Sequence, residues 1–498
     1  MPDHTGINKK ENGGRKEGKR RTGCVLFFSF FLFPFSFPML CGCMTKDTIY
    51  SDIASSRARS YENWLGERQR ESASEKVLRG PMTRDQCVNV ALDNNKDIQA
   101  VTWDKEKAAG KITEAYSQAF PTVNLEAGFT RVDEAIIPGG KKQTYGVTAT
   151  ASQPLYRGGA IGAGISAARI YSYAADERIK EAVQNVAFAV NRGYYDVLLA
   201  NELLRVSEQA VTLAKSHLDD VLKRREQGVA SDYDVLRARV EVTNYEAEMI
   251  QNRNELHLLK TSFCKLLGVS QESDITFSDT FAYGAVEPEL EDAVSRAFAE
   301  RPELTQAELS LKLSEEALTA AKAERWPKAD AFFSHTFSNP GPHETSDWGD
   351  GWSTGVTMRF PFFDGYRARG LVRQAKADLA KSRILLINAE ESVLLEVKQA
   401  LLSVEDARSF VESQKANVER AQQGLRLVEA GYREGVNTEL EVRDARQALL
   451  RASALHYQAI HQHEVAVLSL KKATGSFEPG RTPAAKIESE DEDDGMKR

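Results

Sequence analysis

Two groups of residues in this chain have types and spacings that could support cofactor or metal chemistry. The glycine-rich run 159–164 resembles a dinucleotide-binding loop, but no βαβ pattern follows it. His456, His461 and His463 could offer ligands to a metal ion, although residues two apart on a helix point to different faces. No Ser/His/Asp or paired-carboxylate spacing suits a catalytic cleft. We therefore predict no enzyme activity, cofactor or metal.

Acidic side chains follow two glycines at the same distance along the chain. Asp234 comes six residues after Gly228, and Glu441 comes six residues after Gly435. Asp444 lies about one helical turn beyond Glu441 and therefore on a similar face. The helix dipole alone favours acidic residues in a first helical turn. The matched spacing indicates that the surrounding chain is duplicated.

The duplication covers most of the chain, because landmark residues recur 206 to 207 positions apart. The recurring pairs are Ala91 and Ala297, Phe120-Pro121 and Trp326-Pro327, Pro154 and Pro361, Gly228 and Gly435, and Gly268 and Gly475. This period is far longer than that of solenoid repeats, so each copy is predicted to form a substantial structural half. We expect the function to use this pseudo-symmetry.

The first 42 residues carry the features of an export signal. Basic side chains between residues 9 and 21 precede an apolar run from Val25 to Leu40. The run ends in Leu40-Cys41-Gly42-Cys43, which resembles a bacterial lipoprotein processing box. Cleavage there would leave an acylated Cys43. Because Met44 is not a retention aspartate, the resemblance places the anchor in the outer membrane; a plain signal peptide beside a free thiol is the alternative.

The remaining cysteines and the net charge argue against disulfide-rich, zinc-binding and nucleic-acid-binding proteins. Cys87 and Cys264 form neither a disulfide framework nor a zinc spacing, so they are predicted to be core thiols, with a single bridge as the alternative. The formal net charge of −7 argues against nucleic acid as a partner.

The distribution of proline predicts long helices. None of the 15 prolines lies between Leu155 and Glu287 or between Phe362 and Glu478. Apolar residues in both stretches recur every seven positions beside a seam of small residues, as in helices that pack sideways over their length. We predict helical hairpins at about 162–266 and 369–473. Their first helices would be on the order of 100 Å long.

Two segments of each copy alternate between apolar and polar residues. They lie between a shorter helix, predicted at about 83–119 and 303–325, and each long helix. Val123 to Phe129 is one example, and Phe332 and His335 break the pattern. Such strands match those of outer-membrane barrels, with apolar side chains toward lipid and polar ones toward water. Four strands cannot close a barrel, so several chains are predicted to share one.

The chain resembles the TolC-type outer-membrane efflux factors, in their lipidated branch, over residues 83–475. Ala119-Phe120-Pro121, the turn 153–159 and the segment 228–236 carry the resemblance in their order, spacing and duplication. The resemblance implies a mostly α fold with a small β part. Each of two tandem repeats would contribute two transmembrane strands and a long helical hairpin. A homotrimer would form a 12-stranded barrel continued by a periplasmic α-helical barrel.

The resemblance also implies a function. The protein would be the outer-membrane channel of a tripartite efflux system. It would passively conduct small molecules from a periplasmic adaptor and an inner-membrane pump, of the resistance-nodulation-division or ABC type, to the exterior. The outer-membrane component of a type I protein secretion system is one alternative. The other is a non-conducting, lipid-anchored coiled-coil scaffold, which would not need the strands.

Site residues follow from the same resemblance. The pore gate would comprise Asp234, Glu441, Asp444 and Tyr432, and the adaptor-docking turns would comprise Gly228, Ser231, Gly435 and Thr438. Asn437 stands where the family carries a latch arginine, which puts a salt-bridged gate in question. Ser231 and Thr438 also suit the N-caps of the next helices.

The expected domain organisation is as follows. A lipoprotein signal occupies residues 1–42 and a linker with an equatorial segment occupies 43–81. The first and second repeats occupy 82–275 and 288–475, and an acidic tail occupies 476–498.

Overall fold

The computed structural model describes residues 53, 55–57, 59–60, 78–133, 142–278, 281, 283–284, 289–343 and 347–477. The chain divides into two compact units, residues 1–71 and 72–498. In the first unit, the Ser60 hydroxyl donates to the backbone carbonyl of Ser56 across one helical turn. The predicted signal, Cys43 and the acidic tail beyond Phe477 lie outside the described residues.

The second unit contains two halves that share the order helix, helix, strand, strand, long helix, helix; among the described residues, the first half also has a short strand at each end. The first half comprises β1 (Arg79–Met82), α1 (Arg84–Asn94), α2 (Lys96–Ser117), β2 (Thr122–Arg131), β3 (Gln143–Tyr156), α3 (Ala160–Glu226), α4 (Asp232–Leu267) and β4 (Asp274–Phe277). The second half comprises α5 (Leu290–Glu300), α6 (Pro302–Ala323), β5 (Lys328–Asn339), β6 (Gly349–Arg359), α7 (Arg367–Arg433) and α8 (Glu439–Ala473). The predicted duplication is confirmed.

The helical hairpins α3–α4 and α7–α8 begin within two residues of their predicted starts. Both α3 and α7 have 67 residues, which gives each a length of about 100 Å. The predicted seven-residue seams are buried along the middle of both long helices, for example at Val190, Val197 and Val397. Among the described residues, none of the helices combines the length and low polarity needed to cross a membrane.

The single helix predicted at 83–119 is wrong, because Asn95 divides it into α1 and α2. Asn95 has an extended backbone, and its side-chain oxygen accepts from the backbone N–H groups of Asp97 (2.8 Å) and Ile98 (3.3 Å). Its side-chain amide donates to the Leu266 carbonyl at 2.9 Å, so the break also ties α2 to the end of α4. In the second half, Arg301 also has an extended backbone and separates α5 from α6, but its side chain does not cap α6.

The four predicted strands form one antiparallel sheet in the order β2-β3-β5-β6. Residues that face each other in the register share a face of the sheet. One face is largely apolar and contains Leu125 paired with Ala149, and Phe333 in line with Ala151. The other face carries hydroxyl groups. The alternation read from the sequence is therefore confirmed, and β2 and β6 are the outer strands of this sheet.

The two residues that broke the alternation have distinct surroundings. Phe332 lies on the polar face, where its ring covers Gly355 on β6; a Cβ at Gly355 would lie 3.2 Å from it. His335 lies on the apolar face, and its Nε2 atom is 3.3 Å from a carboxylate oxygen of Asp350.

The two halves are joined at the base of the sheet. Arg157, after β3, pairs through both terminal nitrogens with the Asp330 carboxylate on β5. Gly158 follows with a φ of 62°, and a Cβ at this position would lie 2.7 Å from the Trp326 Cβ atom. Only glycine fits both the left-handed backbone and this close approach. The strand-to-helix turn of the first half is thus seated against the second half.

A small parallel sheet, β1 with β4, was not predicted. It joins the two ends of the first half and packs on its core, where the Tyr194 hydroxyl donates to the Met82 carbonyl at 3.2 Å. Cys87 and Cys264 are both buried in this same core, as predicted for core thiols. The second half has its own core around Val397.

Candidate functional site at the hairpin turns

The two hairpin turns share one backbone geometry. Gly228 and Gly435 have φ values of 74° and 77°, in the left-handed region that favours glycine. The N–H after each glycine reaches back to a helix carbonyl: Val229 donates to Arg224 at 2.9 Å, and Val436 donates to Gly431 at 2.8 Å. These contacts satisfy the last carbonyls of α3 and α7, as in a Schellman motif.

The helix that leaves the first turn is capped by Ser231 and Asp234. The Ser231 hydroxyl accepts from the Asp234 N–H at 3.2 Å, and the Asp234 carboxylate accepts from the Ser231 N–H at 2.9 Å. The Ser231 hydroxyl also donates to that carboxylate at 2.7 Å. This reciprocal pair is a capping box, so the predicted cap at Ser231 is confirmed.

The second turn repeats the arrangement with Thr438 and Glu441. The Thr438 N–H donates to the Glu441 carboxylate at 2.7 Å, and the Glu441 N–H donates to the Thr438 hydroxyl at 3.4 Å. The Asn437 side chain also donates to the Glu441 carboxylate, at 3.2 Å. The cap predicted at Thr438 is confirmed, and Asn437 is part of it.

These contacts change the acidity of both carboxyls. The Ser231 hydroxyl, followed by the Ser231 N–H, lowers the pKa of Asp234 below its ordinary value. For Glu441, the Thr438 N–H contributes most and the Asn437 side chain next, and they lower its pKa. Both carboxylates therefore stay negatively charged through the neutral range. Asp444 takes no part in a cap and lies beside Arg443 on the exposed side of α8, 3.4 Å away.

Tyr432 contacts the other half of the chain. The Arg224 guanidinium donates to the Tyr432 hydroxyl, and its central carbon lies 4.7 Å from the ring centre. The sequence analysis did not single out Arg224. The sequence feature that could have pointed to Arg224 is its position in a run of three basic residues, Lys223 to Arg225, in the last turn of α3.

Further polar contacts connect α3 with α8 above the turns. His217 Nε2 lies 3.1 Å from a Glu439 carboxylate oxygen. His461 Nε2 lies 2.6 Å from the Asp196 carboxylate, and Arg205 donates to the Tyr457 hydroxyl. All three contacts, like Arg224 with Tyr432, join the two halves.

The other residues with candidate chemistry are not brought together in one place. His463 is fully buried against the Tyr283 ring, whereas His461 faces Asp196. The glycine-rich run 159–164 begins helix α3, with Gly159 at its N-cap. Among the described residues, no group of three or more His, Cys, Asp or Glu side chains could hold a metal ion.

Duplicated helical hairpins of about 100 Å, joined through an amphipathic antiparallel sheet, define a class of bacterial envelope proteins with one end in a membrane. The chain matches the outer membrane efflux protein family over residues 87–269 and 293–476. The chain belongs to this family and is an outer-membrane protein.

Individual relatives agree with this assignment. The chain is 22% identical to outer membrane protein TolC of Vibrio cholerae over 398 residues, 78% of this chain and 90% of the relative. It is also 22% identical to the probable outer membrane lipoprotein SilC of Salmonella typhimurium, with 78% and 84% covered. The crystal structure of the Campylobacter jejuni CmeC outer membrane channel superposes with a TM-score of 0.69 at 15% identity, covering 81% and 87%.

Proposed function

We propose that this protein is the outer-membrane channel of a tripartite efflux system. It conducts small molecules passively from a periplasmic adaptor and an inner-membrane pump to the exterior. The main support is the sheet β2-β3-β5-β6, which has one apolar and one hydroxyl-rich face and continues directly into the long helices. A water-filled passage through a bilayer requires this division of polarity.

Three copies complete the channel. A four-stranded sheet in a bilayer would leave backbone groups of its outer strands without partners, which is costly where there is no water. Three copies that pair β6 of one with β2 of the next give twelve strands in a closed barrel. The hairpins then line a tunnel below the membrane. Membership of the efflux protein family supports the same assembly.

The hairpin turns are the proposed pore gate and adaptor-docking surface. The contact between Arg224 and Tyr432 links the turns of the two halves. It takes the place of a latch salt bridge, which Asn437 cannot form because its amide side chain is uncharged. Asp234, Glu441 and Asp444 supply negative charge around the entrance. The turns built on Gly228, Ser231, Gly435 and Thr438 expose the apolar side chains of Val229 (75% exposed) and Val436 (81%). Such exposed apolar tips suit a protein partner.

A lipid anchor at Cys43 is proposed to hold the chain in the outer membrane. The processing box that ends in Cys43 supports it, as does the similarity to a relative named as a probable outer membrane lipoprotein. We propose a pump of the resistance-nodulation-division or ABC type, and no enzymatic step in this chain.

Reconstitution tests the proposal. Purified protein in planar bilayers is expected to give single-channel currents and to migrate as a trimer that heat converts to monomers. A type I secretion channel would also conduct, but deleting its gene would stop the export of a protein from the cell rather than the efflux of small molecules. A folded protein that never conducts would support the scaffold alternative, although a scaffold has no need of the four strands.

A further inference from the structure

The register of the sheet defines the composition of its polar face row by row. From the outer end toward the base, the rows are Gly128-Gly146-Ser338-Gly349, Glu126-Thr148-Thr336-Gly351, Asn124-Thr150-Ser334-Ser353 and Thr122-Ser152-Phe332-Gly355. The hydroxyls within two of these rows contact each other: Thr148 with Thr336 at 3.0 Å, and Thr150 with Ser334 at 3.3 Å. In these four rows, one ionisable side chain is present, that of Glu126.

Charged groups on the same face lie at the base, and most of them are paired. Lys328 donates to Glu324 at 2.9 Å, and Asp330 binds Arg157. Arg359 lies opposite Lys328 in the register. Opposite charges at the base therefore largely offset one another. The negative charge of Glu126 above them is not offset.

Glu126 itself is exposed and makes no hydrogen bond or ion pair with the residues that the structure describes. Its partner in the register, Thr148, has its hydroxyl in contact with Thr336. Gly128, the next residue of β2 on the same face, carries no side chain that could cover Glu126. A structural role for this carboxylate is therefore not supported. No residue that the structure describes at this level of the sheet compensates its charge, and Glu126 lies on the hydroxyl-rich face.

We propose that the three copies of Glu126 make the outer section of the lumen favour cations over anions. This inference rests on the proposed channel and names the charge class of solute that its outer section favours. Three carboxylates on an otherwise uncharged, oxygen-lined wall raise the local concentration of cations. The effect reaches the channel axis when the screening length is large. That length is about 30 Å at about 0.01 M salt and about 3 Å at about 1 M.

The test is the cation-to-anion permeability ratio of the full-length trimer, taken from reversal potentials in KCl gradients. Glu126→Gln is expected to lower the cation preference at low salt, without abolishing the part due to the entrance carboxylates, and to match the native protein near 1 M. Glu126→Asp should retain the native preference, and Glu126→Lys should lower it further than Glu126→Gln does. Asp350→Asn is the matched control, because it removes a carboxylate from the opposite, apolar face one row position away.

The outcomes separate this inference from the proposed function. Native channels that conduct, with Glu126→Gln unchanged at low salt, would overturn the inference and leave the function intact. An equal loss in Asp350→Asn would also overturn it, because the effect would then not come from the lumen. Native protein that does not conduct would remove both. If Glu126→Gln fails to form the heat-sensitive trimer, the permeability ratios of Glu126→Asp and Glu126→Lys at low salt are compared instead. Equal ratios in these two variants would overturn the inference.

Discussion

Arg224 at the end of α3 donates a hydrogen bond to Tyr432 at the end of α7, and its guanidinium lies over the tyrosine ring. The two residues come from different halves of the duplicated chain. Each hairpin turn also has its own cap, so this contact links two separately capped turns. Breaking it should loosen one turn from the other, which His217 and Glu439 also join, without unfolding either.

The link can be weakened in steps. Tyr432→Phe removes the hydroxyl but keeps the ring beneath Arg224. Arg224→Ala removes both the hydrogen bond and the cation–π contact. An exposed cation–π contact contributes about 0.5–1 kcal/mol. Single-channel conductance is expected to rise from native through Tyr432→Phe to Arg224→Ala. Arg225→Ala is the control, because Arg225 pairs with Asp232 inside the first hairpin at 2.7 Å. No increase in Arg224→Ala would rule out the latch.

Asp444 allows the entrance charge to be tested without damage to a cap. Asp444→Asn is expected to weaken block of the channel by divalent and trivalent cations, because fewer carboxylates then attract the blocking ion. Block is measured in bilayers with the cation added on the side of the hairpin turns. Asp219→Asn on α3, whose carboxylate pairs with Lys223, serves as the control. Unchanged block in Asp444→Asn would exclude it from the entrance.

The caps should make the turns sensitive to acid. The folded-state pKa values of Asp234 and Glu441 lie below their ordinary values, which are near 3.9 and 4.3. The caps therefore contribute stability above that range and lose it as the pH falls through the lowered pKa values. Pepsin cleavage at the turns is expected to increase only well below pH of about 4. In Ser231→Ala, cleavage at the first turn should begin at a higher pH.

The ion pair between Arg157 and Asp330 should stabilise the joined halves. Both side chains are about 30% exposed, at 27% and 31%, and the pair is bidentate. Asp330→Asn is expected to cost about 1 kcal/mol and to lower the temperature at which the trimer converts to monomers. Arg296→Ala breaks an exposed pair with Asp292 within α5 and should leave that temperature nearly unchanged. Equal effects of the two changes would contradict a joining role.

Adaptor docking is best tested beside the glycines rather than at them. A bulky residue at Gly228 or Gly435 would be strained by the positive φ alone, so loss of crosslinking there would not separate docking from folding. Val229→Asp and Val436→Asp leave the backbone unstrained. They are expected to abolish crosslinking to the adaptor while the trimer still forms. Retained crosslinking in the double variant would place the adaptor elsewhere.

Much of the fold could be predicted from the sequence, because its elements are long and regular. A seven-residue period over 67 residues, or alternation over ten, leaves few other structures possible. The break at Asn95 and the parallel pairing of β1 with β4 were missed. Both involve short segments stabilised by distant partners, Leu266 for Asn95 and Asp274–Phe277 for β1.

The candidate site was predictable in its backbone but not in its contacts. Gly228 and Gly435 located the turns, and Ser231 and Thr438 located the caps. No sequence pattern indicates that Arg224 reaches Tyr432, because they are 208 residues apart and meet through packing of the halves. The left-handed backbone of Tyr366 was also not predictable from local sequence. Tyr366 has a φ of 69° at the N-cap of α7, whereas glycine, Gly159, occupies the N-cap of α3.

The outer strands β2 and β6 differ in sequence. The edge by which a subunit pairs with the next subunit therefore differs from the edge by which it pairs with the previous one. Ring closure then depends on every member, and one copy with a blocked edge leaves a gap that its companions cannot fill. A β6 variant unable to pair should consequently be dominant over the wild-type allele when the two are expressed together.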